Sequence, residues 1–185
     1  MTKKELYESY QPEKITKKEF DQMELDRRFG HLYDSLGELR LGVMIVVKDD
    51  MYGVINKKGE IIVPLEYDYI TDFRNNLAIA YQDDLSEENF TLREGLIDTK
   101  GNLLTPTIYD NMETEMYDGY EAPKFICGLL KVQINGKYGF INQRGEMIIP
   151  AEYEDAFCFH SEGFANVKKG DNWVKIDITG KIIKA

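Results

Sequence analysis

The stretch YGVINKKGEIIVPLEYD, from Tyr52 to Asp68, is written again 86 residues later as YGFINQRGEMIIPAEYE, from Tyr138 to Glu154. A chain that repeats one sentence in one order builds one structural unit more than once. Such a unit buries its apolar face only by stacking on a neighbour. The turn inside the sentence recurs four times, as Asn56-Lys57-Lys58-Gly59, Asp98-Thr99-Lys100-Gly101, Asn142-Gln143-Arg144-Gly145 and Asp177-Ile178-Thr179-Gly180. An Asx side chain folds back on the backbone to start a turn, and a glycine three places on takes the left-handed conformation without a Cβ clash. This is the chemistry of a tight hairpin, expected as a type I turn closed by a bulge. A proline follows at Pro64, Pro106 and Pro150. It has no amide for a ladder and is expected to end the strand. A tyrosine stands three residues further on, at Tyr67, Tyr109 and Tyr153.

Ahead of each turn block lies another strand, in GVMIV (42–46), NLAIA (76–80), GLLKV (128–132) and GFANV (163–167). In GLLKVQI the alternation of Leu130, Val132 and Ile134 with Lys131 and Gln133 has the period of two that a strand requires. Each unit is therefore expected to hold about three antiparallel strands in meander order. The basic period is 34 or 35 residues, interrupted by two insertions within 82–93 and 111–126, both beside the second hairpin. Insertions into repeats map to loops, where binding function concentrates.

The features that recur in register are a Tyr-Gly pair (Tyr52-Gly53, Tyr138-Gly139), the Asx-x-x-Gly turn and the Ile-Pro-x-x-Tyr run. Together they resemble the WG-repeat family of bacterial proteins over roughly residues 41–183. The resemblance implies an all-β array of about 3.5 three-stranded repeats, solenoid or propeller-like, and no chemistry of its own. Its repeats would span roughly 41–75, 76–127, 128–162 and 163–185, after an N-terminal helical cap over residues 1–40. Where the family has its aromatic-Gly pair, the second unit reads Glu94-Gly95 and the last reads Trp173-Val174. These departures mark the second unit as specialised and the last as a terminal cap. In the N-terminal segment Thr16 followed at three by Glu19 is a capping-box signature, and Phe20, Met23, Leu25 and Phe29 recur at loosely helical spacing. One amphipathic helix near 16–29, covering the open end of the first repeat, is expected.

Charge concentrates where the insertions are. Residues 83–126 carry eleven acids and three bases, accounting for eight of the ten net negative charges. Nucleic acid is an unsuitable partner for such a chain, because phosphate binding needs a basic face. The first twenty residues hold no apolar stretch of the signal-peptide kind and no run approaches a membrane span, so a cytoplasmic protein without membrane attachment is expected. Two cysteines make no disulfide framework.

Candidate chemistry is sparse. Cys158-Phe159-His160 would place a thiol and an imidazole on one face of a strand, but structural zinc wants four ligands and none of the usual close pairs is present. The same pair as a nucleophile needs an activating environment that no other motif marks. The run from Asp83 to Asn89 lacks the glycine and distal glutamate of a calcium loop. No cofactor is expected, and a non-enzyme is. The second insertion mixes acids with tyrosine and methionine, the composition of a recognition loop for a basic protein. The expected partner-binding residues are Asp83, Asp84, Glu87, Glu88, Glu113, Glu115, Tyr117, Asp118, Tyr120 and Glu121, with a toxin or nuclease as one version of the basic partner. A small-ligand or glycan binder using exposed aromatics is the alternative.

Overall fold

The computed structural model describes residues 16–84 and 91–183. Compactness divides the chain into two units, Met1–Leu65 and Glu66–Ala185. In the first, helix α1 (Lys17–Phe29) starts at a complete capping box. The Glu19 amide donates to Thr16 Oγ1 at 3.2 Å, and the Thr16 amide donates to the Glu19 carboxylate at 2.6 Å. These two bonds satisfy donors that every helix start leaves orphaned. A meander follows in the order β1 (Ser35–Leu36), β2 (Val43–Lys48), β3 (Met51–Asn56) and β4 (Ile61–Tyr67), the last crossing the division between the units. Leu25 and Phe29 of the helix close the face formed by Met44, Val46 and Ile55. The ring of Phe29 lies so close to the turn at Gly59 that a Cβ there would come within 2.4 Å of it.

Among the described residues the second unit holds three larger sheets and one two-stranded hairpin. The strands are β5 (Tyr69–Ile70), β6 (Leu77–Asp83), β7 (Leu92–Asp98), β8 (Asn111–Met112), β9 (Thr114–Tyr117), β10 (Tyr120–Pro123), β11 (Phe125–Ile126), β12 (Leu129–Ile134), β13 (Lys137–Asn142), β14 (Met147–Tyr153), β15 (Asp155–Ala156), β16 (Phe164–Lys169), β17 (Asn172–Asp177) and β18 (Ile182–Ile183). The sheets run β5-β6-β7, β11-β12-β13-β14 with β8 also on β12, and β15-β16-β17-β18, while β9 and β10 pair only with each other. Among the described residues the chain is thus mostly β with one helix, as the repeats imply. None of the described helices is long and apolar enough to cross a membrane.

The middle sheet is buried on both faces because its side chains alternate. Leu130, Val132 and Ile141 join Leu77, Ile79, Leu96, Tyr109 and Met112 in one core. Leu129, Phe140 and Ile149 join Tyr153, Phe159, Ala165, Val167 and Ile176 in another. Each core therefore lies between neighbouring sheets, and no sheet of this unit closes a core alone. The far face of the last sheet is written differently. Where Phe140 is fully buried, the equivalent residue is Lys175, whose ammonium sits 4.2 Å from the centre of the Phe164 ring. A polar outward face is what a terminal repeat needs.

The four turns are alike to the atom. Asn56, Asp98, Asn142 and Asp177 each accept with Oδ1 the amides two and four residues on, at 2.8–3.1 Å. Gly59, Gly101, Gly145 and Gly180 each have φ between +79° and +87°.

Two expectations need correction. Two of the three prolines do not end their strands: β4 and β14 run through Pro64 and Pro150, whereas Pro106 lies outside any strand. The register of β13 on β14 slips between Tyr138↔Tyr153 and Phe140↔Ile149. Pro150 lies in the extra length of this bulge, where a missing amide costs nothing. The bulged strand presses on Gly139, where a Cβ would meet Ile149 O at 2.7 Å and Ala151 N at 2.8 Å. The glycine of the aromatic-Gly pair and the proline of the next strand are thus one device. The second correction is that Cys158, Phe159 and His160 lie beyond β15 and outside any strand. Beyond the expected three strands, the sheets gain a short first strand. After Tyr109 and Tyr153 the chain runs on at once into β8 and β15, which pair with β12 and β16.

Candidate functional site

The second repeat keeps the turn and loses regularity around it. Its third strand is reduced to isolated bridges, Ile97↔Leu103 and Glu94↔Tyr109. Thr105 substitutes for the lost ladder by accepting the Leu96 amide at Oγ1, 2.9 Å away. At the position of Tyr138 stands Glu94, which is 6% exposed. The Met112 amide at the end of β8 donates to Glu94 Oε2. Burial pushes the Glu94 carboxyl up to about 7, and Glu121 and Asp110 push the same way against the bonds from Met112 and Asn111. Opposite it across the ladder is Tyr81. Burial, followed by the charges of Glu94 and Glu121, raises that phenol far above its ordinary value.

From β8 the chain leaves the sheet as the hairpin β9–β10 and returns at β11, so both short strands line the same edge of β12. The hairpin turn is Asp118-Gly119, with φ of +53° and +83°. Two consecutive positive-φ residues suit the twist of a two-residue hairpin. Its base is tied to the β5–β6 sheet. The Asp72 amide donates to Glu121 O at 2.9 Å, Arg74 pairs with Glu115, and the Arg74 guanidinium lies 4.2 Å from the centre of the Tyr117 ring. Its far part stands in solvent: Met116 is 71% exposed, Tyr117 53% and Tyr120 41%.

The expected acidic residues fall into three groups. Glu87 and Glu88 lie outside the described residues. Asp84, Glu113 and Glu115 are held by bases of the same unit, Asp84 by Arg93, Glu113 by Lys131 (3.0 Å) and Lys124 (3.9 Å), and Glu115 by Arg74. Although burial pushes the other way, Lys131 and Lys124 hold the Glu113 carboxyl below the ordinary range. Asp83 accepts the Thr91 amide, and Glu121 accepts the Thr114 hydroxyl at 2.8 Å. Asp118 forms the hairpin turn. The structure therefore brings Glu113, Glu115, Tyr117, Asp118, Tyr120 and Glu121 together on one hairpin, with Asp83 and Asp84 at the end of β6. Charge counting missed the folding back of Arg74 and Lys131, which lie outside the acidic segment in sequence. Glu94 was missed as a site residue, although its break in the Tyr-Gly pattern was the visible signal.

Cys158 and His160 stand in different surroundings. Burial first, then the Glu113 charge, pushes the Cys158 thiol up, which disfavours the nucleophilic thiolate. His160 stacks on Phe164 at 4.4 Å. Among the described residues no three or more His, Cys, Asp and Glu side chains gather so as to hold a metal ion. A second surface feature lies at the last sheet, where Phe157 and Trp173, both exposed, stack at 5.1 Å with planes 31° apart.

The family model described as WG containing repeat matches residues 52–85, 95–138 and 138–173, more than half of the 185 residues. Its matched segments begin at or beside the aromatic-Gly positions. No curated protein matches the chain.

Proposed function

The chain belongs to the family of WG-containing repeats, and from that premise we propose that it is a non-enzymatic protein-interaction module whose second repeat presents the β9–β10 hairpin to a basic protein partner. The observation that carries this reading is the hairpin itself. It is an insertion into an otherwise regular array, braced along one side by Arg74 and Asp72, with Met116, Tyr117 and Tyr120 exposed even though Arg74 lies over one face of the Tyr117 ring. Aromatic and methionine side chains are the anchors of protein interfaces, and an exposed cluster of them costs solubility unless a partner covers it. Because Glu113 and Glu115 are already paired, the anchors supply the contact. The remaining negative field of the segment steers a basic partner towards them and speeds encounter more than it tightens binding. An inhibitor of a basic toxin or nuclease is one concrete form of this function.

The test is capture from native lysate at low and at roughly 0.5 M salt, a contrast that screens long-range charge. Wild type is compared with the triple substitution Met116→Ser, Tyr117→Ser, Tyr120→Ser. A basic protein captured by wild type, more slowly at high salt, and lost from the triple variant is the expected result. Capture undiminished in the triple variant moves the site elsewhere and ends this reading.

The Phe157–Trp173 stack supports a second reading, a small-ligand or glycan binder using an aromatic platform. Trp173 is the only tryptophan of the chain, so its fluorescence would report any such ligand directly.

A further inference from the structure

We propose that Glu94 is a protonatable latch for the inserted hairpin: when neutral it tolerates burial beneath the hairpin, and when ionised it repels Glu121 and Asp110 and, against the bonds from Met112 and Asn111 that favour its charged form, loosens β9–β10 from the sheet beneath. The proposal deepens the reading of the hairpin as a docking element, and rests on it only for what the latch would control.

The geometry begins at a substitution. The position that holds Tyr138 in the third repeat holds a carboxyl here, and that carboxyl is as buried as a core side chain, at 6% exposure. The groups facing it are acids and phenols. Tyr81 of β6 lies directly across the ladder, with Tyr69 of β5 against its ring at 5.5 Å. Glu121 of β10 and Asp110, just before β8, act on it through their charges, and Asn111 of β8 hydrogen-bonds to it. Tyr109 brackets its backbone from both sides, accepting its amide at 2.9 Å and donating to its carbonyl at 3.2 Å. Arg93, next to it in the chain, commits its guanidinium to Asp84 and Asp110. A buried carboxylate facing a second carboxylate favours its neutral form. Glu94 also touches the point where the insertion begins, because it accepts the Met112 amide one residue before the hairpin segment. Glu121 is in turn the residue whose carbonyl ties the hairpin to Asp72. One carboxyl thus bears on the start of the insertion through a hydrogen bond and, through charge, on Glu121 near the hairpin turn.

The sign follows from proton linkage. Burial and the neighbouring acids push the Glu94 carboxyl up to about 7. The docked hairpin therefore holds a proton that an opened one, with an ordinary glutamate, releases. Docking is strongest below the ordinary glutamate range and weakens as pH rises through 7. With those two values the equilibrium for opening shifts about tenfold between about pH 6 and about pH 8.

The experiment uses the whole chain without any partner. Amide hydrogen exchange of residues 113–124, corrected for the intrinsic pH dependence of exchange, is measured at both pH values in wild type, Glu94→Gln and Glu121→Gln. Wild type should lose about tenfold in hairpin protection between the two, while the amides of β13 stay unchanged. Glu94→Gln keeps an acceptor for Met112 and should show no pH dependence. Glu121→Gln, which removes the facing charge on the surface-facing hairpin, should reduce it, and carries the test alone if Glu94→Gln does not fold. Wild-type protection that does not change with pH, or a fall of equal size in a folded glutamine variant, overturns the latch. Such a failure leaves partner capture untouched, and loss of partner capture in the triple-serine variant leaves the latch untouched.

Discussion

In the third repeat Tyr138 pairs with Tyr153 across a bulge and packs against a closed apolar core. In the second repeat the same two positions hold Glu94 and Tyr109, joined by an isolated bridge, and the strand that should pass between them is irregular. Both repeats keep the Asx-x-x-Gly turn and both keep the buried tyrosine. What differs is the side chain that faces the next sheet and the length of chain allowed before that sheet begins. A regular repeat finishes its neighbour's core, whereas the second repeat places a carboxyl there and opens the edge of β12 to an inserted hairpin. Function in a repeat array is added where one unit relaxes a rule that the others obey, because the remaining units still supply the stability.

Substitutions at matched positions would sharpen or break that comparison. The largest effect is expected from Phe140→Ala. Phe140 is fully buried, and its loss should cost about 3–5 kcal/mol in denaturant unfolding. Met116→Ala on the hairpin, at a side chain 71% exposed, should stay within about 0.5 kcal/mol. Equal losses at the two sites would mean that the hairpin is structural rather than presented. Next come the two bulge glycines. Gly139→Ala drives a Cβ into backbone at 2.7 Å and 2.8 Å, while Gly95→Ala meets Thr105 O at 2.9 Å and the Thr107 methyl at 3.0 Å. Overpacking at Gly139 should cost about 2–3 kcal/mol. Gly95→Ala should cost less, since the irregular strand beneath it can yield. A larger cost at Gly95 would show that the second repeat is the more rigid of the two.

The smallest effect expected is a pH dependence. Burial pushes the Asp98 carboxyl up, but the Asn102 side chain, the amides of Asn102 and Lys100 and the Lys100 charge together bring it below its ordinary value. A depressed folded-state pKa contributes stability that is present above the ordinary carboxylate range and lost as pH falls through the folded value. The melting temperature of wild type should therefore drop more in acid than that of Asp98→Asn. Asn142, the neutral counterpart in the third repeat, contributes no such term. This slope is opposite in sign to that of Glu94, so one repeat carries two carboxyls whose effects on stability run in opposite directions with pH.

Much of the architecture was readable from residues. The Asx-x-x-Gly turns and the Thr16–Glu19 box are local devices whose hydrogen bonds close within two to four residues, so sequence spacing alone specifies them, and the alternation in β12 follows from the period of two of any strand. The repeated sentence also specifies that the units stack, since none can bury its face by itself. Tertiary structure decided what depends on residues far apart in the chain. The strand glycine and the strand proline were both visible, but only the bulge between β13 and β14 shows that each requires the other. Residues 83–126 were visibly acidic, but Arg74 and Lys131 arrive from outside that stretch and pair with Glu115 and Glu113. Coulomb energy depends on distance in space rather than position in sequence. Glu94 was visible as a misfit at an aromatic position. Its burial against Met112 and Glu121, which raises its carboxyl to about 7, exists only once β7, β8 and the hairpin have been brought together.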